Sequence, residues 1–286
     1  MSEDMIHISS GDLSVSLLDP SKDIRKTGSR YCTGCYIWQV LGADGHFLLS
    51  GPNFPSENPP PFDGQGMPEV FEIPLGGDDE PVGAEVCVIG VGMVRKTSGI
   101  EPFHPRNNPL VTKPCLWDVE QGDGWAVMTT SQSYREKSIK LRREVHVKGK
   151  RILSISHVEN TGNADVTLRW FCHPFFPLNE DFACGKISPN VILPESSGYQ
   201  MSADNIIFMK PDYPWKKGHF QVLAAPETKL CFNVPHPIVE SIKMETSYNV
   251  VRCALWANAN TFSFEPFTQC VLKSGEITAW HVMMEI

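Results

Sequence analysis

Twenty-three prolines and 22 glycines punctuate the 286 residues, and no segment holds a clean 3.6-residue apolar period through three turns. Strand signals recur instead. Tyr36 to Leu41 leads through Gly42-Ala43-Asp44-Gly45 into His46 to Leu49, which reads as a hairpin. Ile139 to Lys148, a turn at Gly149-Lys150, and Arg151 to Glu159 form a longer one. After a turn at Asn160-Thr161-Gly162-Asn163 comes a strand from Asp165 to Cys172. Further strands are expected over Lys229–Val234, Val250–Ala257, Thr261–Glu265 and Thr278–Ile286. Strands at this spacing, without intervening helices, predict an all-β fold: a large antiparallel β-sandwich. All-β units often run to 200–250 residues, so we expect one domain over residues 1–286. Loop signals are densest at 51–66, 76–83 and 98–109, and long loops on a rigid sandwich commonly carry ligand contacts.

Apolar residues at 41% and charged residues at 20% supply enough burial for a packed core and exclude a disordered chain. The formal charge of −8 argues against nucleic acid or an anionic membrane as the main partner. No apolar run approaches the roughly 18 residues that span a bilayer, and Met1-Ser2-Glu3-Asp4 carries no apolar signal region. A cytoplasmic protein is expected. Nine cysteines are scattered through apolar runs and read as buried thiols of a reducing compartment. Cys32-Thr33-Gly34-Cys35 has CxxC spacing but no second pair for a zinc ribbon, and a strand rather than a helix follows it. No metal site and no cofactor is assigned.

Two segments place an ionisable residue directly before a proline at the end of a strand: Leu168 to His173-Pro174, and Thr261 to Glu265-Pro266. The residue before proline is held in extended geometry, so both should keep their strand's alternation. His173 then shares a face with Arg169 and Phe171, while Glu265 shares one with Thr261 and Ser263, opposite Phe262 and Phe264. A histidine and a glutamate on such faces could act as an acid/base pair across a concave sheet. The spacing alone is equally compatible with a hydrogen-bonded strand-end histidine and a solvated carboxylate.

From Arg30-Tyr31 onward the chain resembles the galactose mutarotase-like superfamily, the aldose 1-epimerases and their relatives. Gly28-Ser29-Arg30-Tyr31 with Thr33-Gly34, Ile89-Gly90-Val91-Gly92-Met93-Val94-Arg95, and Phe171-Cys172-His173-Pro174-Phe175-Phe176 are similar, in order, to segments of one bacterial branch. Phe264-Glu265-Pro266-Phe267-Thr268, then Leu272-Lys273-Ser274-Gly275-Glu276 and Trp280, is similar to the family's Glu-Pro ending, with Lys-Ser where proline is usual. The second histidine of classical members, in a His-Gly element, has no counterpart here. Cys172 replaces the asparagine before the strand-end histidine.

The resemblance implies a supersandwich with a sugar site on its concave face, Glu265 as general base and His173 as general acid. Together they would open a cyclic sugar at C1 and close it on the other face. It nominates Arg30 as a substrate-orienting fork. His104 and Arg106 are candidates from loop composition, and Arg95, Lys96 and Arg106 could meet a phosphate. Trp38, Trp117 and Trp215 could stack on a sugar or lie in the core. The expected partner is a small-molecule sugar or sugar derivative. Exposed strand edges leave a homodimer open. A non-catalytic carbohydrate-binding module, or an elimination or isomerisation on a sugar acid in the same cleft, are the alternatives.

Overall fold

The structure, a computed structural model, describes residues 5–23, 26–56 and 58–286. The described residues form 22 strands joined by turns and loops, with two single-turn 3-10 segments, Pro105–Asn107 and Trp215–Lys217. No helix among them is long and apolar enough to cross a membrane. Two large antiparallel sheets dominate. One has ten strands, with Ile277–Glu285 in its middle between Ser241–Thr246 and Arg151–Asn160. The other is centred on Thr261–Leu272, which is flanked by Arg252–Ala257 and Val166–Cys172, with Glu69–Phe71 beyond.

The alternation of side chains explains why these sheets stack. Along Lys137–Lys148 every second residue from Ile139 is buried, and Ile139, Leu141, Val145 and Val147 present an apolar face to the opposing sheet, with Arg143 among them. Leu168, Trp170 and Cys172 meet Phe262 and Phe264 in the main core, together with Phe232, Met244 and Trp280 of the ten-stranded sheet. The reverse face of the smaller sheet is also covered. Val70, Phe171, Ala254 and Phe267 form a second apolar cluster with Leu18, Tyr31, Tyr36 and Trp38. A sheet buried on both faces can carry polar residues out of water on its outer side, and the candidate pair lies there.

The long hairpin of 137–148 and 151–160 turns at Gly149-Lys150 as expected, with Gly149 at φ +58°. Two expectations need correction. Residues 46–49 do not form a strand. Phe47 bridges to Leu41 and Leu48 N–H donates to the Val40 carbonyl (2.8 Å), but the ladder stops there: the consecutive Leu48 and Leu49 are both buried, and Leu49 N–H turns to the Gln39 side-chain oxygen (2.9 Å). The strand beginning at Thr261 does not stop at Glu265. It runs through Pro266, opposite Cys253, to Leu272. The extended backbone that proline imposes on its predecessor suits a strand, and the Pro266 carbonyl accepts a hydrogen bond from the Tyr248 hydroxyl at 3.0 Å.

Candidate active site

The outer face of the smaller sheet is read off its register. Ala254 lies opposite Glu265, Trp256 opposite Ser263, Arg252 and Phe171 each opposite Phe267. Residues two apart share a face, so Arg252, Trp256, Ser263, Glu265, Arg169 and Phe171 all point the same way. His173 follows directly after the 166–172 strand. Its N–H donates to the Pro68 carbonyl (2.8 Å), and Phe175 N–H donates to the Gly66 carbonyl (2.8 Å), so residues 173–175 stay docked beside the sheet. Gly66 sits at φ +76°, and a Cβ there would collide with the Ile37 and Trp38 carbonyl oxygens. Only glycine permits this approach.

His173 and Glu265 meet. The imidazole Nε2 lies 3.3 Å from Glu265 Oε1, with side-chain exposures of 3% and 5%. Nδ1 lies 2.8 Å from Ser263 Oγ, and the ring stacks on Phe175 with centroids 4.3 Å apart. Burial pushes the Glu265 carboxyl up to about 7, against the lowering charges of Arg30 and Arg252. Burial, followed by the Arg30 charge, holds His173 well below the ordinary imidazole value. Both groups are thus driven toward their uncharged forms.

The pair forms the floor of two adjoining cavities. His173 lines one of about 350 Å³ with Phe62, Asp63 and Arg106. Glu265 lines another of about 450 Å³ with Glu72, Arg169, Arg252, Phe220 and Phe267. Arg30, His104 and Trp256 line both, so the two are halves of one cleft. Residues from all three predicted loop regions reach it: Pro52, Phe62 and Asp63, then Asp78, then Pro102 to Arg106. Glu57, within the first of those loops, lies outside the described residues.

Of the residues nominated from sequence, Glu265, His173, Arg30, His104 and Arg106 therefore line one cleft. Arg30 donates through Nη1 to the Phe62 carbonyl (3.1 Å), and its guanidinium lies 4.8 Å from the Tyr31 ring centroid and 4.6 Å from that of Phe62. His104 caps the Pro105–Asn107 turn, its Nδ1 accepting from Arg106 N–H (3.2 Å). Arg95 lines neither cavity. It pairs with Glu85 at 2.6 Å and donates to the Gly83 carbonyl. Lys96 is buried and donates to the Asp78 carbonyl and to Glu101 Oε1, both at 2.6 Å. It thereby ties together two of the loops that wall the cleft and is not open to a phosphate.

Trp38 and Trp215 are core residues. Trp117 packs on Gly34 and donates its indole N–H to Thr33 Oγ1 at 2.8 Å. The cleft tryptophan is Trp256, which the sequence reading missed along with Arg252 and Phe220. The strand register, which places Trp256 opposite Ser263, is the signal that would have found it. Cys32 and Cys35 are buried free thiols, and burial pushes each up to about 12, away from thiolate chemistry.

No family profile matches the sequence, and neither does any curated protein. Solved structures do match, over nearly the whole chain. A galactose mutarotase related enzyme from Lactobacillus acidophilus superposes with a TM-score of 0.60 at 11% identity, covering 98% of this chain and 96% of that one. A galactose mutarotase-like protein from Lactobacillus casei gives 0.61 at 13% identity, covering 98% and 99%. A GalM/aldose epimerase homologue from C. elegans gives 0.53 at 11%, covering 98% of each chain. The chain therefore has the galactose mutarotase-like fold, as the motifs implied.

Proposed function

We propose that the chain is an acid–base isomerase of cyclic sugars, exchanging anomers as aldose 1-epimerases do, with Glu265 and His173 as the proton-transferring pair. The observation that carries this reading is the 3.3 Å contact between Nε2 and Oε1 on the floor of a cleft. A pair driven by burial toward neutrality holds one proton between its facing atoms below about pH 7. With Nδ1–H donating to Ser263 Oγ, that proton can sit on Oε1 or on Nε2 without any change at the serine.

A singly protonated pair is what anomer exchange requires. The C1 hydroxyl gives its proton to the carboxylate, the bond between C1 and the ring oxygen breaks, and the ring oxygen takes a proton from the imidazolium. The open-chain aldehyde rotates about C1–C2, and the reverse transfers close the ring on the opposite face. Protons and electrons balance over the cycle, and the pair returns to its starting state. Arg30, held between two rings, is suited to orient a substrate oxygen, and Trp256 offers an aromatic wall to a sugar face. A carbohydrate-binding module has no use for a buried ionisable pair at this position.

The test is exchange NMR on free, deoxy, acidic and phosphorylated sugars, against the spontaneous rate. Wild type should accelerate at least one sugar, and Glu265→Gln should lose on the order of 10²–10⁴ of that acceleration. Acceleration that survives in the variant, or none with any sugar, would overturn the proposal.

A further inference from the structure

The described arginines divide into two groups. Arg95, Arg135, Arg142, Arg143, Arg151 and Arg169 each have a glutamate oxygen within 3.8 Å. Among the described residues, Arg30, Arg106 and Arg252 have no such partner, and all three line the cleft. In a chain of net charge −8, acidic side chains are not scarce. Unpaired guanidinium groups gathered in one concavity mark a place where the counter-charge comes from elsewhere.

Two of the three are organised together. Arg30 lies 4.6 Å and Arg106 4.7 Å from the centroid of the same Phe62 ring. Arg30 is further held by the Tyr31 ring and the Phe62 carbonyl, so little side-chain freedom is left to lose on binding. The loop carrying Arg106 is pinned by Asn108, whose Nδ2 donates to the His104 carbonyl at 3.0 Å and whose Oδ1 accepts from Thr97 and Ser98. The carboxylate sharing this cavity, Asp63, accepts from Asn53 Nδ2 at 2.8 Å. The positive field is felt nearby: burial, then the charges of Arg30 and Arg106, lower the His104 imidazole. Arg252, by contrast, shares its half of the cleft with Glu72 and Glu265.

We propose that the Phe62 end of the cleft binds an anionic group borne by the sugar, a phosphate or a carboxylate, through the guanidinium groups of Arg30 and Arg106. This rests on the reading of the cleft as a sugar site and goes beyond it by naming the substrate class. Two planar forks offer paired N–H donors in the geometry that phosphate and carboxylate oxygens accept. His173 lines the same cavity, so an anion held there places the rest of the sugar over the proton-transferring pair.

The test is calorimetric titration of a hexose, its 6-phosphate and its uronic acid, with wild type and Arg106→Gln, at fixed pH and ionic strength. At least one anionic sugar should bind about tenfold more tightly than the neutral parent, with a preference that weakens in salt. Arg106→Gln should remove most of that preference, and Arg106→Lys should restore part of it. Which anionic sugar binds more tightly separates phosphate from carboxylate as the group recognised. Three results would overturn the proposal: a neutral sugar binding as well as both anionic ones, an unchanged preference in Arg106→Gln, or no binding of either anionic sugar at about 10 mM. Anionic preference without faster anomer exchange would sink the epimerase reading and leave the subsite standing. Faster exchange with neutral sugars preferred would do the reverse.

Discussion

Glu265 and His173 sit in a place where water would ordinarily stabilise their charges and does not. A carboxylate normally ionises two units below an imidazole; here burial raises the one to about 7 and lowers the other below 6.5. The consequence reaches stability. Between the unfolded value of 4.5 and the folded value of about 7, the native state binds a proton at Glu265 that the unfolded chain does not. Stability from this group is therefore present below pH 4.5 and lost as pH rises through 7, by about 3 kcal/mol. His173 acts in the opposite sense: its native state resists a proton, so stability falls as pH drops below 6.5. Glu265→Gln removes the first dependence and keeps the second. Urea unfolding of both proteins at pH 5 and pH 8 should show the variant gaining on wild type at the higher pH, and a pH-independent difference would contradict the assignment.

Alternation in the sequence was enough to set these two side chains on faces with Arg169, Phe171 and Ser263. Their meeting, and the inversion of their proton affinities, depends on loops and on strand register that no local pattern encodes. Arg95 illustrates the same limit. The sequence offered it as a phosphate contact, yet its charge is spent on Glu85 across a ladder that only the fold reveals.

At the scale of strands, one polar cluster links the two large sheets through the core. Arg143, on the 137–148 strand and 1% exposed, pairs with Glu69 on the 69–71 strand. It also donates to Ser154 Oγ (2.9 Å), to Ser156 Oγ and to the Ile155 carbonyl. Glu69 in turn accepts from Trp170 Nε1 (2.9 Å) and lies opposite Cys172, the residue before His173. Removing one partner leaves the other charge buried and alone, so Arg143→Met should cost about 3–5 kcal/mol in denaturant unfolding. The double variant Arg143→Met/Glu69→Met should recover much of that loss. Losses that simply add in the double variant would show that the pair does not act as a unit. Neither residue was singled out from the sequence: alternation sets Arg143 on the face of Ile139, Leu141, Val145 and Val147, but its partner Glu69 lies on a three-residue strand that no local pattern marks. The long hairpin around Gly149-Lys150 was legible for the opposite reason, since its turn and its alternation agree. The short run 46–49 carried a turn signal, but its two buried leucines are consecutive and break the alternation, and it forms a bridge and no strand.

Across the whole molecule, one apolar cluster takes in residues from Ile6 to Met284, and the last strand sits in the middle of the ten-stranded sheet. The main core draws on both halves of the chain. Differential scanning calorimetry should accordingly give one unfolding transition with matching calorimetric and van't Hoff enthalpies; two resolved transitions would contradict a single domain. The architecture as a class was readable from the punctuation of strands and turns. The cleft was not, because six strands and several separate loops supply its walls.

The pH dependence of catalysed anomer exchange bears most directly on the one-proton pair. Measured by exchange NMR with Glu265→Gln as the blank, kcat/KM should be bell-shaped. Its alkaline limb should fall near pH 7, where the pair loses its shared proton, and its acid limb well below 6.5, where a second proton arrives. A rate that stays flat from about pH 5 to 9 would mean that Glu265 and His173 do not carry the reaction.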